Sequence, residues 1–164
     1  MTTAIATPYG ELLHLPSDAG LALLGPGDVY RLLVTGTESG GSYASMEALV
    51  PPNGGPPPHI HRREDETFYI LEGEIEFRLG DDVVSAGIGD FVNVPRDTVH
   101  CFRNAGTEMA RMIVTFTPAG LEKFFEETLQ RALDPTQPRL DNIDEVAARY
   151  VEAAPRYGLE FVAE

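Results

Sequence analysis

The chain has 164 residues, with 26 acidic and 12 basic side chains and a net charge of −14 at pH 7. This length is typical of a single domain, and the excess of negative charge argues against binding to nucleic acid or to an anionic membrane surface. Since the sequence shows neither a signal-peptide pattern nor an apolar segment long enough to span a bilayer, we expect a cytoplasmic protein, in which the one cysteine, Cys101, forms no disulfide within the chain.

Residues 1–30 are compatible with an N-terminal arm or with an added edge strand, and "LLGPGD" within them indicates a turn. Over residues 31–117, short β-type segments alternate with Gly, Pro, Asn and Asp, a pattern typical of an antiparallel sandwich or barrel. In "LEGEIEFRLGDD", Ile75, Phe77 and Leu79 alternate with charged residues, which indicates one buried face, and the following Gly-Asp pair favours a hairpin. We predict strands near Tyr30–Thr35, Ser42–Leu49, Glu66–Leu71, Glu74–Leu79, Asp82–Ser85, Phe91–Val94, Val99–Arg103 and Arg111–Thr117.

Two amphipathic helices are predicted within residues 118–164, where the apolar residues take up helical spacing. Asp141 is the expected N-cap of the second helix, which we expect to end in "YGLEF", and the two prolines in residues 133–142 favour a connecting loop. We therefore expect one mainly β domain over residues 1–164, a barrel followed by two C-terminal α-helices. The predicted buried positions of the helices are Leu121, Phe124, Phe125, Leu129, Ile143, Val146, Ala147, Tyr150 and Val151.

His59 and His61 are separated by one residue at the start of a predicted strand, after the proline-rich segment "PPNGGPPP". Side chains at i and i+2 of a strand point to the same face, with Cα atoms about 6.6 Å apart. The two imidazoles therefore converge, whereas Ile60 points the other way. Two converging imidazoles can supply two ligands to a transition metal.

Glu66 and His100 are the other candidate ligands. Glu66 shares its strand parity with Phe68 and so is expected inside, where an isolated carboxylate is costly unless a cation or a strong donor lies beside it. His100 shares a face with Phe102, opposite Cys101. Three imidazoles and one carboxylate suit Fe, Mn, Co, Ni or Zn as the divalent ion, and four protein ligands leave positions for water, oxygen or a chelating substrate.

These two stretches resemble the two motifs of the cupin superfamily. In the first motif, His-x-His is followed by Glu and Gly, matched here by His59, His61, Glu66 and Gly73; in the second, Gly, Pro, His and Asn are matched by Gly89, Pro95, His100 and Asn104. Two glycines of the motifs are replaced by Asn53 and Asp97, residue types that tolerate left-handed backbone angles in turns.

The resemblance implies a single-domain cupin, a jelly-roll sandwich or β-barrel that holds a divalent metal inside through His59, His61, Glu66 and His100 and pairs into a homodimer. The C-terminal helices are similar to those of small bacterial cupins of the quercetin-dioxygenase-like group. We therefore expect a metal-dependent dioxygenase acting on a small chelating molecule such as a flavonol or catechol, with Glu66 as the catalytic base. The alternatives are a metal-dependent isomerase, decarboxylase or lyase, and a non-catalytic cupin that binds a small ligand.

Several residues have a structural alternative to these roles. Glu66 could instead form a surface ion pair with Arg62 or Arg63, and the charged segment "RREDE" is expected to be a solvated loop apart from Glu66. His14 is expected at the surface, and Tyr69, on the outer face by parity, is free to pack against another sheet or a second subunit. Six apolar residues are expected either to line a substrate pocket or to lie in the closed core: Met46, Phe68, Phe77, Phe102, Met112 and Phe116.

Overall fold

The computed structural model describes residues 3–7, 10–132, 134 and 142–162. It contains two antiparallel sheets that face each other, followed by two helices, as the sequence predicts. The helices are α1 (Glu122–Thr128) and α2 (Ile143–Ala153). In chain order, the strands are β1 (Thr3–Thr7), β2 (Gly10–His14), β3 (Ala22–Leu24), β4 (Val29–Val34), β5 (Ala44–Val50), β6 (His59–His61), β7 (Asp65–Glu72), β8 (Ile75–Leu79), β9 (Asp82–Ala86), β10 (Phe91–Val94), β11 (His100–Asn104), β12 (Ala110–Thr117), β13 (Gln130–Arg131) and β14 (Leu159–Phe161).

The larger sheet has the strand order β10-β7-β12-β5-β4-β3-β13 and the smaller one β14-β6-β11-β8-β9. All eight predicted strands are confirmed, with ends within two residues of the predicted ones. In the described part of residues 1–30, β1 and β2 pair with each other as a separate hairpin, whereas β3 joins the larger sheet between β4 and β13.

The core lies between the two sheets, where alternate side chains of each strand point inward. The predicted hairpin is confirmed, since Ile75 and Phe77 are fully buried and Leu79 pairs with Asp82 across the turn. Aromatic rings of both sheets meet at the centre, with ring centroids 4.8 Å apart for Phe68 and Phe77. Contacts of this kind add to the free energy gained from burial of apolar surface.

Helix α1 packs its predicted apolar face on the sandwich, since Leu121, Phe124, Phe125 and Leu129 are all buried. Glu122 is buried as well, at 1% exposure. Its carboxylate accepts hydrogen bonds from the backbone N–H groups of Gly36 and Gly120, at 2.9 and 2.6 Å. These two bonds satisfy the buried charge and attach the start of α1 to the loop after β4.

The segment "YGLEF" does not end a helix, contrary to the prediction. After α2, residues Ala154–Tyr157 form a 3-10 turn that stops at Gly158, whose φ of 71° is left-handed, and the chain continues as β14. On α2, Val146 is buried as predicted, but Ile143 and Val151 are 49% and 61% exposed. The predicted N-cap Asp141 and most of the predicted loop 133–142 lie outside the described residues.

The two positions where the sequence departs from the family glycines have left-handed backbones, with φ of 64° at Asn53 and 65° at Asp97. This confirms that the two residues replace glycine by adopting its conformation. The charged segment after His61 differs from the prediction in one residue, because Glu64 is only 3% exposed rather than solvated.

Tyr69 is 45% exposed on the outer face of the larger sheet, beside the exposed Phe91 of β10. The side chain thus remains available for a contact with a second subunit, and the homodimer stays a prediction, which light scattering would check. No helix among the described residues is long and apolar enough to cross a membrane.

Asn104, at the end of β11, is expected to stabilise the fold. Its side chain is fully buried, donates to the carbonyls of Val50 and Glu108, both at 2.8 Å, and accepts from the N–H of Gly106 at 2.9 Å. Asn104→Ala should lower the free energy of unfolding by about 2–4 kcal/mol, since it leaves three backbone groups without partners. Urea denaturation would measure this loss. The exposed Asn93→Ala serves as control, and an equal effect of both substitutions would contradict the assignment.

Candidate metal centre

The four predicted ligands come together between the two sheets. His59 and His61 lie on β6, His100 lies directly opposite His59 on the neighbouring β11, and Glu66 lies near the start of β7 in the facing sheet. All four are buried, and one ligand atom from each lies within 4.8 Å of the others. The i, i+2 geometry of β6 thus brings its two imidazoles to one point, as predicted.

Backbone carbonyls fix the orientation of two of the imidazoles. Nδ1 of His59 lies 2.9 Å from the carbonyl oxygen of Pro57, and Nδ1 of His100 lies 3.0 Å from that of Thr98. Because a carbonyl only accepts, each Nδ1 carries the proton. Nε2 is therefore the nitrogen left for the centre of the cluster, an arrangement typical of histidine ligands to metals.

His61 provides the test of whether the cluster fits a metal ion. Both of its ring nitrogens are buried without a hydrogen-bond partner among the described residues. Nε2 lies 3.1 Å from Oε2 of Glu66, close enough for an ion pair, but the geometry is not that of a hydrogen bond. A buried unpartnered nitrogen is costly. A divalent ion bound by the four side chains would satisfy it, so these residues fit such an ion.

Glu66 and His100 form a hydrogen bond across the two sheets, with Nε2 2.8 Å from Oε2. Burial opposes ionisation of Glu66, but the adjacent His61 and the bond from His100 outweigh it and hold the pKa of the carboxyl well below its usual range. Burial likewise opposes protonation of His100, yet the bond to Glu66 and the negative charge of Glu66 raise the pKa of the imidazole. Without metal, the pair therefore favours a carboxylate facing an imidazolium.

His59 behaves in the opposite way. Burial, and after it the positive charge of His100, lowers its pKa to about 3. The two rings lie side by side, with centroids 4.3 Å apart, so a second positive charge is disfavoured there. His59 is therefore neutral near pH 7 and has its Nε2 lone pair available as a ligand.

The cavity at the cluster is small, with a volume of about 30 Å³. Of the six predicted pocket residues, Met46, Phe102 and Phe116 line it. Phe68, Phe77 and Met112 are not among its lining residues and are fully buried in the core, the other place expected for them. The other side chains that line this cavity are those of Tyr30, Pro56, Val114, Phe125, Tyr150, Leu159 and Phe161.

Phe161 is the lining residue that sequence reasoning missed most clearly. It lies on β14 directly opposite His59, with ring centroids 6.3 Å apart. The sequence predicted a helix end there, so strand parity could not be applied to it. Tyr150 lay on the predicted apolar face of α2, but helical spacing does not show that this face meets the cavity.

The alternative roles left open by the sequence are resolved for Arg62 and His14. Arg62 forms ion pairs with Asp97 and Glu160 at 3.0 and 2.8 Å, so it does not neutralise Glu66. His14 is exposed on β2, away from the cluster, as predicted. Cys101 lies on the opposite face of β11 from His100, as predicted, and is half-buried.

The low pKa of His59 predicts a pH dependence of stability in protein stripped of metal. The folded state keeps His59 neutral down to about pH 3, whereas the unfolded chain protonates it below about 6.5, so its contribution to stability is present above 6.5 and is lost as the pH falls. When the pH falls from about 7.5 to about 5, the free energy of unfolding of His59→Gln should therefore decrease by about 2 kcal/mol less than that of the wild type. Urea unfolding at the two pH values measures the difference. Parallel losses in both proteins would show that His59 is protonated in the fold.

Comparisons with known proteins agree with this geometry. The family model of the cupin domain matches residues 46–116, which contain all four candidate ligands. Quercetin 2,3-dioxygenase of Bacillus subtilis is 25% identical over 155 residues, covering 87% of this chain and 46% of the dioxygenase. The chain thus spans less than half of that enzyme.

Two further proteins extend the comparison. Protein SchB of Streptomyces halstedii is 33% identical over 93 residues, covering 56% of this chain and 67% of SchB. The cupin domain of Cnp3 from Schizosaccharomyces pombe superposes with a TM-score of 0.61 at 19% identity, covering 75% of this chain and 90% of that domain. The fold, the family match and the buried group of three histidines and one glutamate together show that the chain belongs to the cupin superfamily.

Proposed function

We propose that the protein is a metal-dependent dioxygenase that acts on a small chelating aromatic molecule of the flavonol or catechol type. The observation that carries the reaction class is the similarity to quercetin 2,3-dioxygenase, which extends over 87% of this chain. The buried cluster supports the metal dependence, since its three imidazoles and one carboxylate can hold one divalent transition metal.

His59, His61, Glu66 and His100 would hold the metal. When bound, it supplies a Lewis acid that polarises the oxygens of a chelating substrate and favours their deprotonation. Glu66 is the one carboxylate in the cluster and accepts the hydroxyl proton of the substrate. In the absence of metal, Nε2 of His100 donates to Oε2 of Glu66, and this bond holds the carboxylate beside the imidazoles.

The apolar lining of the cavity acts on the same step. Met46, Phe102 and Phe116 line the cavity at the cluster, which has a volume of only about 30 Å³. Exclusion of bulk water strengthens the electrostatic interactions of Glu66 with the substrate and keeps other proton donors away from the reacting atoms.

Substitution of a histidine ligand should remove the metal. His59→Ala or His100→Ala should reduce the content from about one equivalent per chain to a small fraction of it, with the β-sandwich still folded. Elemental analysis of protein purified without a nickel column measures the content, and circular dichroism checks the fold. His14→Ala is the matched control, because His14 is the remaining histidine of the chain and lies outside the cluster. Full metal content in the two cluster variants would exclude these ligands.

Oxygen consumption tests the reaction class. Metal-loaded protein should take up oxygen with a flavonol or a catechol, and Glu66→Gln should slow this uptake by about 100-fold or more, the usual contribution of a catalytic base. An oxygen electrode measures the rates. Glu72→Gln, an exposed residue at the other end of the same strand, is the control. Metal-loaded protein without uptake would exclude the dioxygenase and favour an isomerase, decarboxylase, lyase or ligand-binding role.

A further inference from the structure

A second cavity, of about 230 Å³, lies between helix α2 and the β-sandwich. We call it the α2 cleft, and its volume is near the lower end of the about 300–1,000 Å³ typical of ligand pockets. Its walls are largely aromatic rings and prolines, which suits a flat apolar molecule. Its lining residues include Pro26, Asp28, Tyr30, Ala147, Tyr150 and Phe161.

The α2 cleft shares a wall with the metal cavity. Tyr30, Pro56, Tyr150 and Phe161 line both cavities, so the two cavities adjoin at these side chains. The metal cavity, at about 30 Å³, is too small for an aromatic ring. An aromatic substrate can therefore place only its reacting edge there, and the α2 cleft is the adjoining space for the rest.

Asp28 is the one charged side chain among the residues that line the α2 cleft. It is only 6% exposed. The hydroxyl of Tyr30 donates to its Oδ2 at 3.0 Å, whereas its Oδ1 has no hydrogen-bond partner among the described residues. A buried carboxylate oxygen without a donor is costly and is rare in folded proteins. Among the described residues, no lysine or arginine forms an ion pair with Asp28.

We infer that the α2 cleft binds the body of the substrate and that Asp28 accepts a hydrogen bond from a hydroxyl or amino group at the end of the substrate remote from the metal. The position of the reacting end rests on the proposed function, and the position of the remote end rests on Asp28. A carboxylate cannot donate, so the remote group must be a donor. The substrate class is therefore an aromatic molecule with a chelating pair of oxygens at one end and a single donor at the other.

The test compares two flavonols, one with a hydroxyl on its pendant phenyl ring and one without. Their dissociation constants are measured without oxygen and at about pH 8. Burial raises the pKa of Asp28 to about 6, although the hydrogen bond from Tyr30 lowers it, so the carboxyl is ionised at this pH. Asp28→Asn should weaken binding of the hydroxylated flavonol by about tenfold or more and leave the other unchanged. Asp82→Asn, an exposed residue of β9, is the control.

A second variant tests the cleft without altering the carboxylate. Ala147→Phe places a ring in the α2 cleft and should weaken binding of both flavonols, with the metal content unchanged. Equal losses for both flavonols in Asp28→Asn, no loss in either variant, or a wild type that binds neither flavonol would each overturn the inference. Because binding is measured without turnover, an absence of oxygen uptake would refute the proposed reaction but would not change the binding result.

Discussion

The hydrogen bond between Glu66 and His100 joins the two sheets at a point where a charge is buried between them. A carboxylate in this position is tolerated only if donors or a cation reach it, and the donors come from the opposite sheet. The pairing of β11 with β6 and the position at which β7 begins must therefore bring His100 and Glu66 within hydrogen-bonding distance of each other. The surrounding core of rings and aliphatic side chains keeps the sheets at the separation that this contact requires.

The cluster has a charge balance that three histidines alone would not have. One carboxylate compensates one imidazolium, and the opposite pKa shifts of His59 and His100 show which of the two rings holds that proton in the absence of metal. A divalent ion brings two positive charges and so must displace this proton before His100 can bind it. Metal binding is thus coupled to proton release, and the affinity for metal is expected to increase with pH over the range in which His100 titrates.

The parts of the fold that could be predicted are those controlled by local periodicity. Alternation identified the hairpin at Leu79, the parity of His59 and His61 on β6, and the inward direction of Glu66. Turn chemistry identified Asn53 and Asp97, since both adopt the left-handed conformation of the glycines they replace. In each of these cases, the physical cause acts within a few residues of the side chain concerned.

The parts that could not be predicted depend on contacts between distant segments. Glu64 and Glu122 carry charges that composition places at the surface, yet the fold buries both. Phe161 and Tyr150 reach the cavity because of where β14 and α2 pack, which no local pattern encodes. Strand parity likewise left open that Met46 lines the cavity whereas Phe68 does not, because parity shows which face of a strand is buried but not how deep a side chain lies.

Strand β6 is only three residues long and is paired on one side with β11 and on the other with β14. The segment that follows Gly158 thus supplies half of the backbone support for two of the candidate ligands. A protease cut in the exposed turn before β14, or a fusion partner that pulls this strand away, would leave His59 and His61 on an open sheet edge. The preorganisation of the imidazoles, and with it the selectivity among ions of similar charge, therefore depends on a part of the chain that carries no ligand.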